Sequence, residues 1–437
     1  MLKNKLFILI SILAVFAMLA ACAPAAPGAI QTDDKAPVTV WIDAARKPAA
    51  DKYLAANPDK KDLVKFEIVD RAQFAAKVLL FNNTGSGWRD VVFAEPNIVQ
   101  YNADPAHNFP LDLTPWVDKK IVDAFVPGSL DPCYSSDKKL LCLRNDLAPL
   151  ILWYNKPLLD QFGYTLPTTW EDFQALSDTL AKDHPGYVMG SAGAPDVHFF
   201  WPSACPIANQ ISIGAVQINA MDPKCVRAAK LIDHMIANGT LSKYGQFDPK
   251  YIELANNNKI LMQEDAAWFG DFVFGGKPDS SYYKTATKQL AAALPLKWKD
   301  DPKIVTGAWG GSAWSVSRHT KNPKLAVSVA VYMTTDIEVG KLVGTMPAYG
   351  PAVDEWQKGM DTNPLYAMNP YKIMVEATGY IKNDGFTDAV RYSIGDGLKP
   401  LNTAIEQDKP VEPTLADCQK LLQQLAEKEG YAVQTTP

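Results

Sequence analysis

The chain has 437 residues, with 43 lysines and arginines against 48 aspartates and glutamates, and a net charge of −5. That balance argues against a nucleic-acid partner, which would call for a basic face. A mature chain of about 400 residues exceeds what one core supports, so two lobes are expected.

The N-terminus comes first. Lys3 and Lys5 precede an uncharged apolar run, Leu6 to Leu19, and the small residues Ala20 and Ala21 precede Cys22. A basic start, a short apolar core and a small-residue cleavage site make a secretory signal; a spanning helix would need a longer apolar run. Leu19-Ala20-Ala21-Cys22 resembles a bacterial lipobox, in which the cysteine is acylated and becomes the first residue of the mature chain. Residues 1–21 then read as a lipoprotein signal peptide, Cys22 as the lipidation site, and 22–37, mostly Ala, Pro, Gly and polar residues, as a flexible tether.

Folding is expected to start at the apolar strand Val38–Ala45. A helical stretch, a second strand over Leu63–Asp70, another helix and a short strand at Val91–Phe93 follow. Strand and helix in alternation imply parallel pairing and an α/β lobe. In such sheets ligands sit outside the carboxyl ends of the strands. Asp43, Arg46, Glu95 and Asn97 fall just past the ends of the first and third strands and are candidate ligand contacts. Trp41 lies inside a strand and reads as core.

Cysteine usage supports export. Cys133 and Cys142 flank the turn-rich "YSSDKKLL", and Cys205 and Cys225 are the next pair in sequence; both are disulfide candidates, although spacing alone does not fix the pairing. Cys418 shares a helical stripe with Leu421, Leu422 and Leu425 and reads as a buried free thiol. Further helices are expected from Trp170, with Thr168 as N-cap and Glu171 completing a capping box, and after Asn322, with Pro323 in its first turn. Trp268 follows the strand-like "KILMQEDAAW", and Trp309 precedes Gly310-Gly311, where missing side chains let backbone approach a ligand.

Four segments in order carry a family likeness. "LWYNKPLLDQFGYTLPTTWEDFQALSDTLAK" resembles the Tyr-Asn-Lys and Pro-Thr-Trp-acidic run of bacterial extracellular solute-binding proteins of family 1, the maltose-binding-like receptors of ABC importers. "NNNKILMQEDAAWFGDF", "GGSAWSVSRHTKNPKLAVSVAVYMTT" and "GTMPAYGPAV" are similar to later segments of the same family. The resemblance implies an α/β, two-lobed periplasmic-binding-protein fold (type II) with a multi-strand hinge. It implies crossings between lobes near Arg144–Ala148, Leu294–Trp298 and Gly344–Gly350, with 38–145 plus 298–345 in the first lobe and 146–297 plus 346–437 in the second.

By that likeness the function is capture of a sugar or oligosaccharide between the lobes and delivery to membrane permease subunits. The protein would be a monomer without cofactor, metal or catalytic residues, lipid-anchored on the outer face of the cytoplasmic membrane or in the periplasm. A sugar offers an apolar C–H face and a rim of hydroxyls, which suits aromatic rings beside carboxylates. The candidate platforms are Trp201, Trp268 and Trp309 with Gly310, and the candidate polar partners are Asp146, Asp271 and Tyr349. Two other readings stay open. One is a cation ligand, such as a polyamine or ferric iron, for which Tyr349, Tyr366 and Tyr371 are available. The other is a glycoside-acting enzyme, for which the adjacent Glu264 and Asp265 would point to opposite faces of a strand.

Overall fold

The β-branched run Val38–Ile42 (β1) is almost wholly buried, as a central parallel strand should be. In the computed structural model of the protein, which describes residues 32–70, 73–94, 109–135, 137–205, 207–212, 215–274, 283–342, 345–381 and 394–434, β1 pairs in parallel with β2 (Val64–Ile68) and β3 (Val91–Ala94). β13 (Ala313–Val316) returns from far along the chain to lie antiparallel to β3, and β4 (Leu143–Arg144) completes a sheet in the order β2-β1-β3-β13-β4. Asp90 fastens its N-terminal edge, accepting from the Thr39 N–H at 2.8 Å and the Thr320 hydroxyl at 2.6 Å. Trp41 is core, edge-on to Phe74.

The helix Pro323–Thr335 covers β13 and β3 with Leu325, Ala326, Val329, Ala330 and Met333. Asn322 caps it through Oδ1, which accepts from the Leu325 N–H at 3.1 Å. Its Nδ2 donates to the Asp34 and Ala36 carbonyls, so the tether expected to run to residue 37 is already tied to the lobe by residue 34. A disulfide, Cys133–Cys142, closes a turn in which Tyr134 bridges to Leu140.

The second lobe is built on β6 (Leu150–Asn155), buried along its whole length between β11 (Met262–Ala266) and β12 (Leu290–Ala293), both antiparallel to it. Period-two alternation splits the strand: Leu152 and Tyr154 pack with Trp170, Phe173 and Leu180, while Ile151 and Trp153 pack with Tyr251, Phe269 and Met374. β7 (Gly190–Ser191) and β10 (Leu241–Ser242) pair in parallel beside β11, and β8 (Asn209–Ser212), β9 (Ala215–Gln217) and β15 (Ala432–Gln434) form a separate small sheet. A second disulfide, Cys205–Cys225, ties a loop to the start of the helix Pro223–Ala237. Cys418 is buried and unbridged, and burial pushes its thiol up to about 11.

The N-cap of the helix Trp170–Asp183 is Thr169, not Thr168. The Trp170 N–H bonds to the Lys297 carbonyl at 3.0 Å, which holds Thr169 extended and makes it the last residue outside the helix. Glu171 does not close a capping box; its carboxylate accepts from the Lys299 N–H.

That same pairing moves the second crossing. Lys297 stays beside Thr169, and Trp298 is buried near Trp170 with its Nε1 donating to Ser203 Oγ at 2.9 Å, so Leu294–Trp298 belongs to the second lobe. The chain crosses instead over Thr306–Ser312, where the Leu150 N–H meets the Gly307 carbonyl and the Trp309 N–H meets the Ala148 carbonyl, each at 3.1 Å. The first and third crossings pair as β5 (Asp146–Leu147) against β14 (Met346–Pro347). Past β14 the chain still touches the first lobe: the Gly350 N–H bonds to the Ala124 carbonyl at 2.9 Å, and Ala352 packs on Gly340. The boundary expected at 346 therefore falls later.

Within β11 the neighbours Glu264 and Asp265 do face opposite ways. Glu264 Oε1 accepts from the Leu296 N–H, while its Oε2 is buried without a partner. Burial pushes Glu264 up to about 8 from 4.5. The folded state then holds a proton that the unfolded chain releases above pH 4.5, so this group lowers stability as pH rises from there to about 8. Glu264→Gln is expected to raise the melting temperature at pH 8 and to leave it nearly unchanged at pH 5. A variant that shifted both equally would show that Glu264 is not the titrating group.

Candidate functional site

Carboxyl ends of strands from both lobes converge on the crossings. From the first lobe come Asp43 and Arg46, just past β1, and Asn145 and Asp146, just past β4. From the second come the segments after β7, β10 and β11: residues 192–198, 243–248 and 267–271. Between them runs the crossing Thr306–Ser312.

Asp43 caps the short turn Ala44–Arg46, accepting from the Arg46 N–H at 3.0 Å, and pairs with Arg46 Nη1 at 3.1 Å. The Arg46 guanidinium lies over the Phe93 ring, 4.3 Å from its centre. Both residues are partly exposed, so this ion pair forms the polar first-lobe wall.

Asp146 is differently placed. It is buried, and its carboxylate links all three crossings. Oδ1 accepts from the Ser312 N–H at 2.8 Å, from the Ser312 hydroxyl and from Asn145 Nδ2; Oδ2 accepts from the Thr345 hydroxyl at 2.7 Å. Burial would raise its pKa, but the charge of Arg46 and the bonds from Ser312, Thr345 and Asn145 outweigh burial and hold the carboxyl below the usual aspartate range. Its main-chain carbonyl accepts from Arg144 Nε at 2.8 Å. Gly311, at φ +79°, leaves the space that guanidinium fills: a Cβ there would lie 2.1 Å from Arg144 Nη2. Asp146 is thus a clasp of the hinge, not the ligand partner expected from its position.

Trp268 and Trp309 form the aromatic wall. Both are half-buried, their rings are 5.5 Å apart, and Trp268 Nε1 donates to the Trp309 carbonyl at 2.7 Å. Gly310, at φ +88°, lies under the edge of Trp268, where a Cβ would be 3.5 Å from Nε1. These three residues, expected from the sequence, do come together. Trp201 does not join them as a platform. It is 4% exposed and packs behind the wall with Leu150, Val197 and Ala266, against Gly307, where a Cβ would lie 2.5 Å from its ring. Tyr349 is half-buried edge-on to Phe125, which makes it packing for the third crossing. Asp271 lies in the short helix Phe269–Phe272 beyond Trp268, and its side chain is outside the described residues, as are Glu95, Asn97 and Cys22.

Behind the wall lies a buried polar network that the sequence did not signal. His198 Nδ1 bonds to the Ser191 carbonyl at 3.1 Å, and Nε2 faces Asp265 Oδ2 at 3.2 Å. Asp265 also accepts from its neighbours Gln263 and Ala266, and Gln263 from the Tyr251 hydroxyl. Burial pushes the Asp265 carboxyl up, and His198 opposes that shift. The His198 ring sits edge-on to Trp309, 6.0 Å away, so the network backs the platform. The tyrosines weighed for a cation do not converge: Tyr366 stacks on Trp153, and Tyr371 packs on Trp356. Among the described residues no group of His, Cys, Asp and Glu could hold a metal ion. Neither Glu264 nor Asp265 opens onto the cleft, which leaves that pair no place in sugar hydrolysis.

A two-lobed α/β fold with its polar and aromatic residues gathered at the crossings defines a solute receptor. The chain belongs to the bacterial extracellular solute-binding protein family, whose model matches residues 39–338. That family works outside the cytoplasm, as the two disulfides require. No curated protein sequence matches the chain. Among solved structures, the fold is similar to that of the galacto-N-biose-/lacto-N-biose I-binding protein of the ABC transporter from Bifidobacterium longum, in complex with lacto-N-biose. Identity there is 15%, the TM-score 0.73, and the match covers 92% of this chain and 100% of that one. It is also similar to the ABC transporter associated binding protein from B. animalis subsp. lactis Bl-04 in complex with beta-1,6-galactobiose, at 17% identity and TM-score 0.69, covering 92% of this chain and 100% of that one. At such identities the likeness is one of fold.

Asp146→Asn keeps the side-chain shape but removes the charge that Ser312 and Thr345 bond to. We expect a loss of about 2 kcal/mol in urea unfolding at pH 7. Because the folded carboxyl titrates low, that stabilisation is present at neutral pH and fades as pH falls below about 4. The gap between parent and variant should narrow there; a gap constant with pH would remove the charge from the explanation.

Proposed function

We propose that this protein is the substrate-binding lipoprotein of an ABC importer, taking a sugar or oligosaccharide between its lobes and handing it to the membrane permease. The observation that carries the reading is the Trp268–Trp309 pair beside Gly310, set on a crossing and facing the Asp43–Arg46 pair of the other lobe. Aromatic faces cover the C–H face of a pyranose, and charged groups make strong hydrogen bonds to its hydroxyls. The sugar complexes of the two bifidobacterial proteins support the same choice. Ligand touching both lobes favours the closed form by its differential affinity for that form, and by no more than that. The reading is of a binding protein and not an enzyme, acting as a monomer held to the membrane through acylated Cys22.

The test is a thermal-shift screen followed by calorimetry with lacto-N-biose, β-1,6-galactobiose and malto-, cello- and xylo-oligosaccharides, with spermidine as the control for a cation. At least one sugar should stabilise the fold. Trp268→Ala should weaken its binding by about 1 kcal/mol or more, roughly fivefold. Stabilisation by spermidine alone, or unchanged sugar affinity in Trp268→Ala, would overturn the reading. In cells, Cys22→Ser is expected to release the chain from the membrane fraction; a variant still membrane-bound would remove Cys22 as the anchor.

A further inference from the structure

The loop after β10 carries Phe247, a large apolar side chain left 46% exposed. The backbone gives the ring little freedom to withdraw. Gly245 is backed against Gly193, where a Cβ would lie 2.2 Å from the Gly245 Cα. On the other side Asp248 is the N-cap of the helix Pro249–Asn256, its carboxylate accepting from the Lys250 N–H at 2.8 Å. Phe247 is thus held between a glycine–glycine contact and a capped helix start.

Its ring lies parallel to that of Trp268, within 2°, at a centre-to-centre distance of 6.4 Å. Trp268 in turn lies 5.5 Å from Trp309. Buried Phe269 supports the row from behind, 6.3 Å from Phe247 and 5.0 Å from Trp268. The rings run from the crossing, at Trp309, out to the rim of the second lobe, at Phe247. Spacings of this size match the step from one pyranose to the next along an oligosaccharide, and an apolar ring kept at a cleft mouth without a core to fill marks a contact surface.

We infer that Phe247 forms an outer subsite of the cleft, and that the ligand is an oligosaccharide of at least three units. The inference rests on the sugar-binding reading. Trp309 and Trp268 take the inner units, and Phe247 covers the C–H face of the next. The outer unit adds affinity through stacking and leaves its hydroxyls to solvent, so the outer position selects for length more than for sugar identity.

The test is calorimetry on the full chain with galactose, β-1,6-galactobiose and β-1,6-galactotriose, and with malto- and cello-series of one to three units. In the series that binds, the three-unit sugar is expected to bind about tenfold more tightly than the two-unit sugar. Phe247→Ala should abolish that gain, leave the two-unit affinity within about twofold, and melt with the parent because the ring is exposed; Phe247→Trp should restore the gain. If the parent does not prefer three units, or Phe247→Ala lowers every length equally or none, the subsite is overturned while sugar binding stands. If the parent binds no member of any series, the sugar reading fails and takes this inference with it.

Discussion

One carboxylate governs how the two lobes are joined. The crossings are short: β5 and β14 pair over only two residues each, and Thr306–Ser312 adds isolated main-chain bonds. Such pieces hold little cooperative ladder of their own. Asp146 supplies what they lack by accepting from Asn145 on the first crossing, Ser312 on the second and Thr345 on the third. A buried charge is tolerable only when its lone pairs are filled and a counter-charge stands near. Ser312, Thr345 and Asn145 meet the first condition and Arg46 the second. Arg46 therefore has a structural partner in Asp146 as well as a surface one in Asp43, and the polar wall of the cleft and the integrity of the hinge share a residue.

The second-lobe wall is built on a different principle. Its aromatic rings are fixed by backbone closeness that only glycine permits: Gly307 under Trp201, and Gly193 against Gly245. Behind them the chain from Ser191 through His198, Asp265 and Gln263 to Tyr251 satisfies its buried polar atoms internally. A fully satisfied buried network is rigid, because any movement of one member leaves another unpaired. The wall can therefore present Trp309 and Trp268 at a set angle without relying on a ligand to order them.

Local chemistry was legible in the sequence wherever the partners lie within a few residues. Asn322 and Pro323 mark a helix start because the cap bonds three residues on, and the strands of the first lobe follow from β-branched runs. Trp268, Trp309 and Gly310 were legible as a group through strand ends and paired glycines. The misses share one cause, a partner far along the chain. Thr169 displaces Thr168 as N-cap because Lys297 holds it extended, and the same contact keeps Leu294–Trp298 in the second lobe. Trp201 looked like a platform, yet Gly307 closes over it. Asp146 was rightly set at a crossing, but nothing nearby announces that Ser312 and Thr345 would fill its oxygens. Phe247 shows no periodic pattern at all; only its exposure in the folded chain marks it.

These constraints locate the bend that closure needs. On the first-lobe side, Asn145, Asp146 and Ser312 are fixed to one another and to β4 and β13. On the second-lobe side, Leu150 is bonded to Gly307, and Gly307 is packed against Trp201. The residues left between these anchors are Leu147–Pro149 on the first crossing and Ala308–Gly311 on the second. Hinges are such short stretches, where a few backbone angles absorb a rigid-body rotation. Trp309 lies in the middle of the second stretch, with its N–H on Ala148 and its carbonyl on Trp268. A ligand stacked on Trp309 therefore contacts the bending segment itself as well as both walls. Its binding energy acts where the rotation is made, which is the most direct coupling between occupancy and shape that this topology allows.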